Sequence, residues 1–200
     1  MPAKRPKRLD KRPKPRLAML AEDAFTPAQR ALRDAIASGP RGTFRFSGPF
    51  AIWMHAPELG QLAQALGAHV RYKTSLSPRL SEFAILTTAR QWRAQYEWQA
   101  HAPIAEKAGV KPKTIADLKA GRHPKGAPAD ERVIYDFVTE LYRKRRVSDR
   151  TYRRAVDLLG TTGAVELTGI LGYYGLISMT LNVFNAATDP DKPQPFAEPS

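Results

Sequence analysis

Val133, Phe137 and Leu141 stand four residues apart with polar residues between them, so they line one face of a helix running from about residue 128 to 144. Cap and stop signals cut most of the remaining chain into similar segments. Thr26-Pro27 pairs an N-cap with proline at the first helical position, and Gly39-Pro40 ends that helix. Residues 41–55, rich in glycine and aromatics, are expected to be irregular. Pro57 opens a short helix expected to end near Gly67, and Ser77-Pro78 starts another that runs to about Arg90. Further helices are expected from about Arg93 to Ala108, stopped by Gly109, and from Lys113 to Ala120, stopped by Gly121. Ser148 caps a helix to Leu159, with Gly160 after it. Thr162 or Gly163 then starts a long apolar helix to about Asn185, expected to lie in the core or at a subunit interface.

Strand alternation is suggested only at residues 44–46. The predicted fold class is therefore all-α: one helical domain over residues 21–187, between Pro-rich tails at 1–20 and 188–200. The longest apolar stretch, residues 167–184, is interrupted by Thr168, Ser178, Thr180 and Asn182, so no membrane span is expected. The basic N-terminus is not followed by the apolar stretch of a signal peptide, and the expected location is cytoplasmic.

Composition changes the picture in two places. The 200-residue chain has no cysteine, which excludes thiolate nucleophiles, disulfides and Cys-ligated metals and clusters. The formal charge is +13, and residues 1–16 hold eight basic side chains against Asp10 alone. Four prolines interleave with those charges, so the segment is expected to be disordered. It reads either as an arm for nucleic acid or an anionic surface, or as a solubilising tail. The tail reading is favoured because no aromatic residue is available there for base stacking.

The candidate chemistry lies between residues 76 and 110. Glu97 and His101 share a helix face, with the small Ala94 on the same side. Glu82 lies on the preceding helix and approaches His101 if the two helices form a hairpin. Trp92, Tyr96 and Trp98 surround them. Partial desolvation would raise a carboxyl pKa, and a neighbouring carboxylate would raise that of the imidazole, which makes an acid–base set. Each residue has a plainer reading. His101 fits a core or surface histidine, Glu97 a partner for His101 or Arg93, and Glu82 a partner for Arg79 or Lys73. A metal is not expected, because no His-x-x-x-His or Glu-x-x-His pair is present.

This region resembles the carboxymuconolactone decarboxylase family, which includes the alkylhydroperoxidase AhpD-like proteins. The family pattern is a Glu, then a Cys-x-x-Cys-x-x-x-His segment whose first Cys falls twelve residues on. Here Glu82 matches the Glu, Ala94 and Glu97 stand at the two Cys positions, and His101 matches the His. Tyr96-Glu97-Trp98 followed by His101 is similar to the cysteine-free decarboxylase branch. Gly48-Pro49-Phe50, the turn from His55 to Leu59, Gly121 to Pro124, and Tyr173-Tyr174 also fit.

The resemblance implies an AhpD-like helical fold assembled as a homo-oligomeric ring, trimer or hexamer. It also implies a lyase without a cofactor that removes carbon dioxide from a small carboxylated lactone-like substrate. His101 would be the main proton donor or acceptor, Glu97 its partner and Glu82 its orienting group. Arg79 would hold a substrate carboxylate, though a surface ion pair is the equal alternative. Trp98 and Tyr173 or Tyr174 would line the pocket, where core packing is the competing role. The reading from another class is a non-catalytic binding protein of the same fold that works through its basic arm.

Overall fold

The computed structural model describes residues 12–42 and 44–197. Among these residues, eight α-helices follow a 3-10 turn at Glu22–Ala24: α1 Pro27–Ala37, α2 Gly48–Trp53, α3 Pro57–Tyr72, α4 Pro78–Gln91, α5 Gln95–Lys107, α6 Pro112–Lys119, α7 Ala129–Lys144 and α8 Asp149–Val183. The fold is all-helical, with no strand among the described residues. The expected caps form. Thr26 accepts from the Gln29 amide in a reciprocal capping box, Ser77 accepts from Leu80, and Ser148 from Thr151.

Helix α4 is the axis of the molecule. Residues 80–89 are all buried, and the helix packs against α5, α6, α7 and α8. Phe83, Ile85 and Leu86 are fully enclosed. Each side chain of that kind contributes about 1.5–3 kcal/mol of burial free energy, which makes α4 the rigid support for whatever its polar residues do.

Four expectations need correcting. Residues 41–55 are not wholly irregular, because Pro49 near a helix start and the buried Trp53 support the short α2. The segment 44–46 is not a strand: Phe46 stacks on Phe25 at 5.7 Å and meets Phe44 edge-on at 5.8 Å. Helix α3 runs past Gly67 to Tyr72, since Val70 is buried and rewards continuation. The helices expected on either side of Gly160 follow each other without a loop, and the break is Gly160 itself, at φ 70° and ψ 173°.

By length and composition alone helix α8 could cross a membrane, but more than half of its most apolar stretch is buried in the protein, as in a core helix.

The expected tails are only partly loose. The N-terminal segment expected to be disordered lies largely outside the described residues, but Arg16 donates its backbone N–H to the Phe184 carbonyl. Arg12 bonds the carbonyls of Asp189, Pro190 and Lys192. Near the C-terminus, Phe196 is buried edge-on against Trp98 at 5.2 Å, and its backbone is held by the Gln95 amide. An apolar anchor and paired carbonyls offset the ordering entropy that the prolines alone suggested would go uncompensated.

Candidate functional site

Helices α4 and α5 are joined by Trp92, Arg93 and Ala94, and Arg93 takes a left-handed φ of 50°. That tight reversal makes an antiparallel hairpin and sets Glu82 opposite His101. Nδ1 of His101 lies 2.6 Å from Oε2 of Glu82, and Nε2 lies 3.0 Å from Oε1 of Glu97, one turn earlier on α5. All three side chains are nearly inaccessible to solvent. Glu97 sits in the first turn of α5, where unpaired backbone N–H groups favour a carboxylate.

Both imidazole nitrogens therefore point at carboxylates, an arrangement satisfied when both carry protons. Burial acts against the charged ring. The Glu97 charge and the hydrogen bonds to Glu82 and Glu97 outweigh it and raise the His101 pKa to about 9. One imidazolium between two carboxylates leaves one negative charge. Arg71 faces it, with Nη2 3.8 Å from Oε1 of Glu82. With both ring nitrogens committed, His101 offers no lone pair for metal ligation in this geometry.

Glu97 and His101 open onto a cleft of about 260 Å³, and Glu82 lies behind them. The space passes by Ala100; Ala94, expected to leave room there, is fully buried at the start of α5. Arg41, Arg45 and Arg71 rim the cleft, and Phe50, Tyr173 and Tyr174 form apolar wall. Tyr174 stands edge-on to the His101 ring at 5.3 Å. Burial, reinforced by the nearby Glu97 charge, pushes the Tyr174 hydroxyl pKa well above its ordinary value. Burial also raises Tyr173, to about 12, against the opposing charge and hydrogen bond of Arg41. Neither phenol ionises near neutral pH, so both can serve only as donors, acceptors or wall. A larger hollow of about 550 Å³ lies among residues 12–15, Trp92 and residues 181–194, but among the described residues no carboxylate or imidazole lines it.

The structure thus brings Glu82, Glu97, His101 and Tyr173 together and leaves two expected site residues elsewhere. Arg79 bridges Asp130 and Glu131 and does not line the cleft. Its pairing is internal and links α4 to α7. Trp98, four residues before Ala102 on another face of α5, packs on Phe196 and is also absent from the cleft. The cations that do face the cleft carry no local motif in the sequence. Arg41 and Arg45 precede Gly48-Pro49-Phe50 in a run that alternates arginine with aromatics, and Arg71 precedes Tyr72. In the fold, the Arg41 guanidinium covers the Phe50 ring at 5.0 Å and that of Arg71 covers Tyr72 at 5.3 Å.

No curated protein matches the chain. A sequence model does match: residues 57–131, which contain Glu82, Glu97 and His101 but neither Arg41 and Arg45 nor the tyrosines of α8, fit the carboxymuconolactone decarboxylase family. Over that segment the chain is similar to the carboxymuconolactone decarboxylase family, in a form with no cysteine.

Proposed function

We propose that the chain is a cofactor-independent lyase that decarboxylates a small carboxylated, lactone-like molecule in the cleft beside His101. One observation carries this reading. A buried imidazole held between two carboxylates opens into a space rimmed by three guanidinium groups. The arginines favour an anionic ligand, and planar guanidinium suits a carboxylate better than a point charge would. They take the role that the sequence suggested for Arg79.

In the proposed step, the bond between the substrate carbon and its carboxylate breaks and carbon dioxide leaves. The electron pair passes into the conjugated system of the lactone. A proton from the His101–Glu97 pair, the part of the trio that faces the cleft, returns to carbon. Glu82 keeps the imidazole oriented and charged. A His101 that stays protonated through neutral pH suits an acid more than a base.

The same reading includes self-association, as the family resemblance implies. Helices α3 and α8 pack on each other, and both leave large apolar side chains exposed: Leu59, Leu62 and Leu66 on one, Val165, Met179 and Val183 on the other. Such surface favours a second copy of the chain over water.

The test is turnover of a panel of unsaturated lactone carboxylates, followed by carbon dioxide release. The wild-type protein should decarboxylate at least one, and His101→Ala should abolish that turnover while keeping the helical circular dichroism signal. Undiminished turnover by the variant, or none by the wild type on any member, would refute the reading.

A further inference from the structure

We propose that the turn between α7 and α8 is a nucleic-acid-binding surface that engages the phosphate backbone, separately from the cleft. Charge segregation is the first observation. Besides residues 1–16, the densest excess lies at residues 143–154, which contain Arg143, Lys144, Arg145, Arg146, Arg150, Arg153 and Arg154 against Asp149 alone. Summed over the rest of the chain, acidic and basic residues cancel, so these two stretches together equal the +13 net charge.

Geometry is the second. Helix α7 ends at Arg145 in a left-handed conformation, and α8 starts at Asp149 under the Ser148 cap. The two helices pack together as a hairpin, so its turn gathers the basic end of one and the basic start of the other. Some of these cations are already matched. Lys144 pairs with Glu140 at 3.0 Å, Arg154 with Asp136 at 2.7 Å, and Arg145 donates to the Tyr142 carbonyl. Arg143, Arg146, Arg150 and Arg153 are exposed and have no carboxylate within 4.0 Å among the described residues. Asp149 and Asp157 are the exposed acids beside them, and neither forms an ion pair there.

Unmatched like charges gathered at one turn repel each other and draw in a polyanion. All four are arginine, whose fork matches phosphate oxygens bidentately. Tyr152, 46% exposed within the same stretch, offers a ring on which a base can stack. It is the one large apolar side chain exposed between residues 143 and 154, too little to anchor the surface in a lipid bilayer. Arg16, the last basic residue of the N-terminal stretch, bonds the Phe184 carbonyl, which follows the end of α8 opposite this turn.

The experiment is fluorescence anisotropy of the full chain with labelled single-stranded and duplex oligonucleotides of about 20 nucleotides, from roughly 50 to 200 mM salt. The wild type should bind at low salt and weaken steeply as salt rises. Replacing Arg143, Arg146, Arg150 and Arg153 by Gln should weaken binding by about tenfold or more and flatten the logarithmic salt slope by roughly three. Lysine at the four positions should keep the slope. If the Gln variant loses its fold, Arg146→Glu and Arg153→Glu, tested singly, should each weaken binding. Unchanged affinity in the folded variants, no binding by the wild type, or binding to phosphatidylserine vesicles but not to oligonucleotides would each overturn the proposal.

Discussion

His101 and Glu82 meet at 2.6 Å between two helices, with both side chains buried, and Glu97 closes the other side of the ring at 3.0 Å. The imidazole charge is therefore a property of its two neighbours. Glu82→Gln and Glu97→Gln should each lower the His101 pKa from about 9 toward the ordinary imidazole range. An NMR pH titration of the His101 ring reads this directly and needs no substrate. A ring that titrates in both variants as it does in the wild type would mean the carboxylates do not set its charge.

The same shift makes stability depend on pH. The folded-state pKa of His101 lies above its unfolded value near 6.5, so the stabilising contribution is fully present below 6.5 and is lost as pH rises through about 9. Its size is on the order of 3 kcal/mol for this enclosed group. Urea unfolding at pH 6 and pH 10 should show a loss in the wild type that is largely absent in His101→Gln. Equal losses in both proteins would place the pH dependence elsewhere.

Much of this was legible in the chain. Thr26, Ser77 and Ser148 mark their helices because a short side-chain oxygen before an apolar run has few other uses, and each forms the cap. Glu97 and His101 followed from helical spacing alone. The approach of Glu82 depended on the tight turn at Arg93, which no local rule dictates for a non-glycine residue. Arg41, Arg45 and Arg71 were hidden for a different reason. Their common target is a space between α3, α8 and the segment before α2, and spacing within one element does not reveal a wall built from three. Arg79 misled because an arginine at a helix start looks the same whether it faces a ligand or, as here, Asp130 and Glu131.

Gly67 has a role that its place inside α3 conceals. A Cβ at this position would lie 2.0 Å from the Tyr173 hydroxyl oxygen and 2.9 Å from Nη2 of Arg41. Both groups border the cleft, so Gly67→Ala should displace them and cost about 1–3 kcal/mol in overpacking. Adding Tyr173→Ala should recover part of that loss in thermal unfolding, because the clashing ring is gone. A double variant as unstable as the sum of the two single ones would show that the contact is not the cause.

Arg41 and Arg71 should act on ligand capture more than on chemistry. Replacing either by Gln removes a positive charge from the cleft rim and leaves the cleft-facing His101–Glu97 pair in place. For a carboxylated substrate, KM should rise by about tenfold or more with a smaller change in kcat, the pattern of lost uniform binding. Arg79→Gln should leave KM unchanged and lower the unfolding midpoint, since it strands the buried Glu131 carboxylate. A KM effect confined to Arg79 would restore that residue as the carboxylate binder and remove the case for the rim.

The exposed apolar residues of α3 and α8 make the last prediction. Leu62 is 73% exposed and Val165 is 67% exposed, on helices that touch through Val70 and Gly169. If these side chains meet a second copy, a carboxylate there must be buried without a partner, a cost that far exceeds the loss of one apolar contact. If they face water, the same carboxylate is harmless. Leu62→Glu and Val165→Glu should therefore convert an assembled wild-type protein into the 22.3 kDa monomer in sedimentation velocity, with the helical signal retained. Identical sedimentation of wild type and both variants would remove these helices from any interface. It would not touch the cleft, whose Glu97, His101, Arg41 and Arg71 all come from one chain.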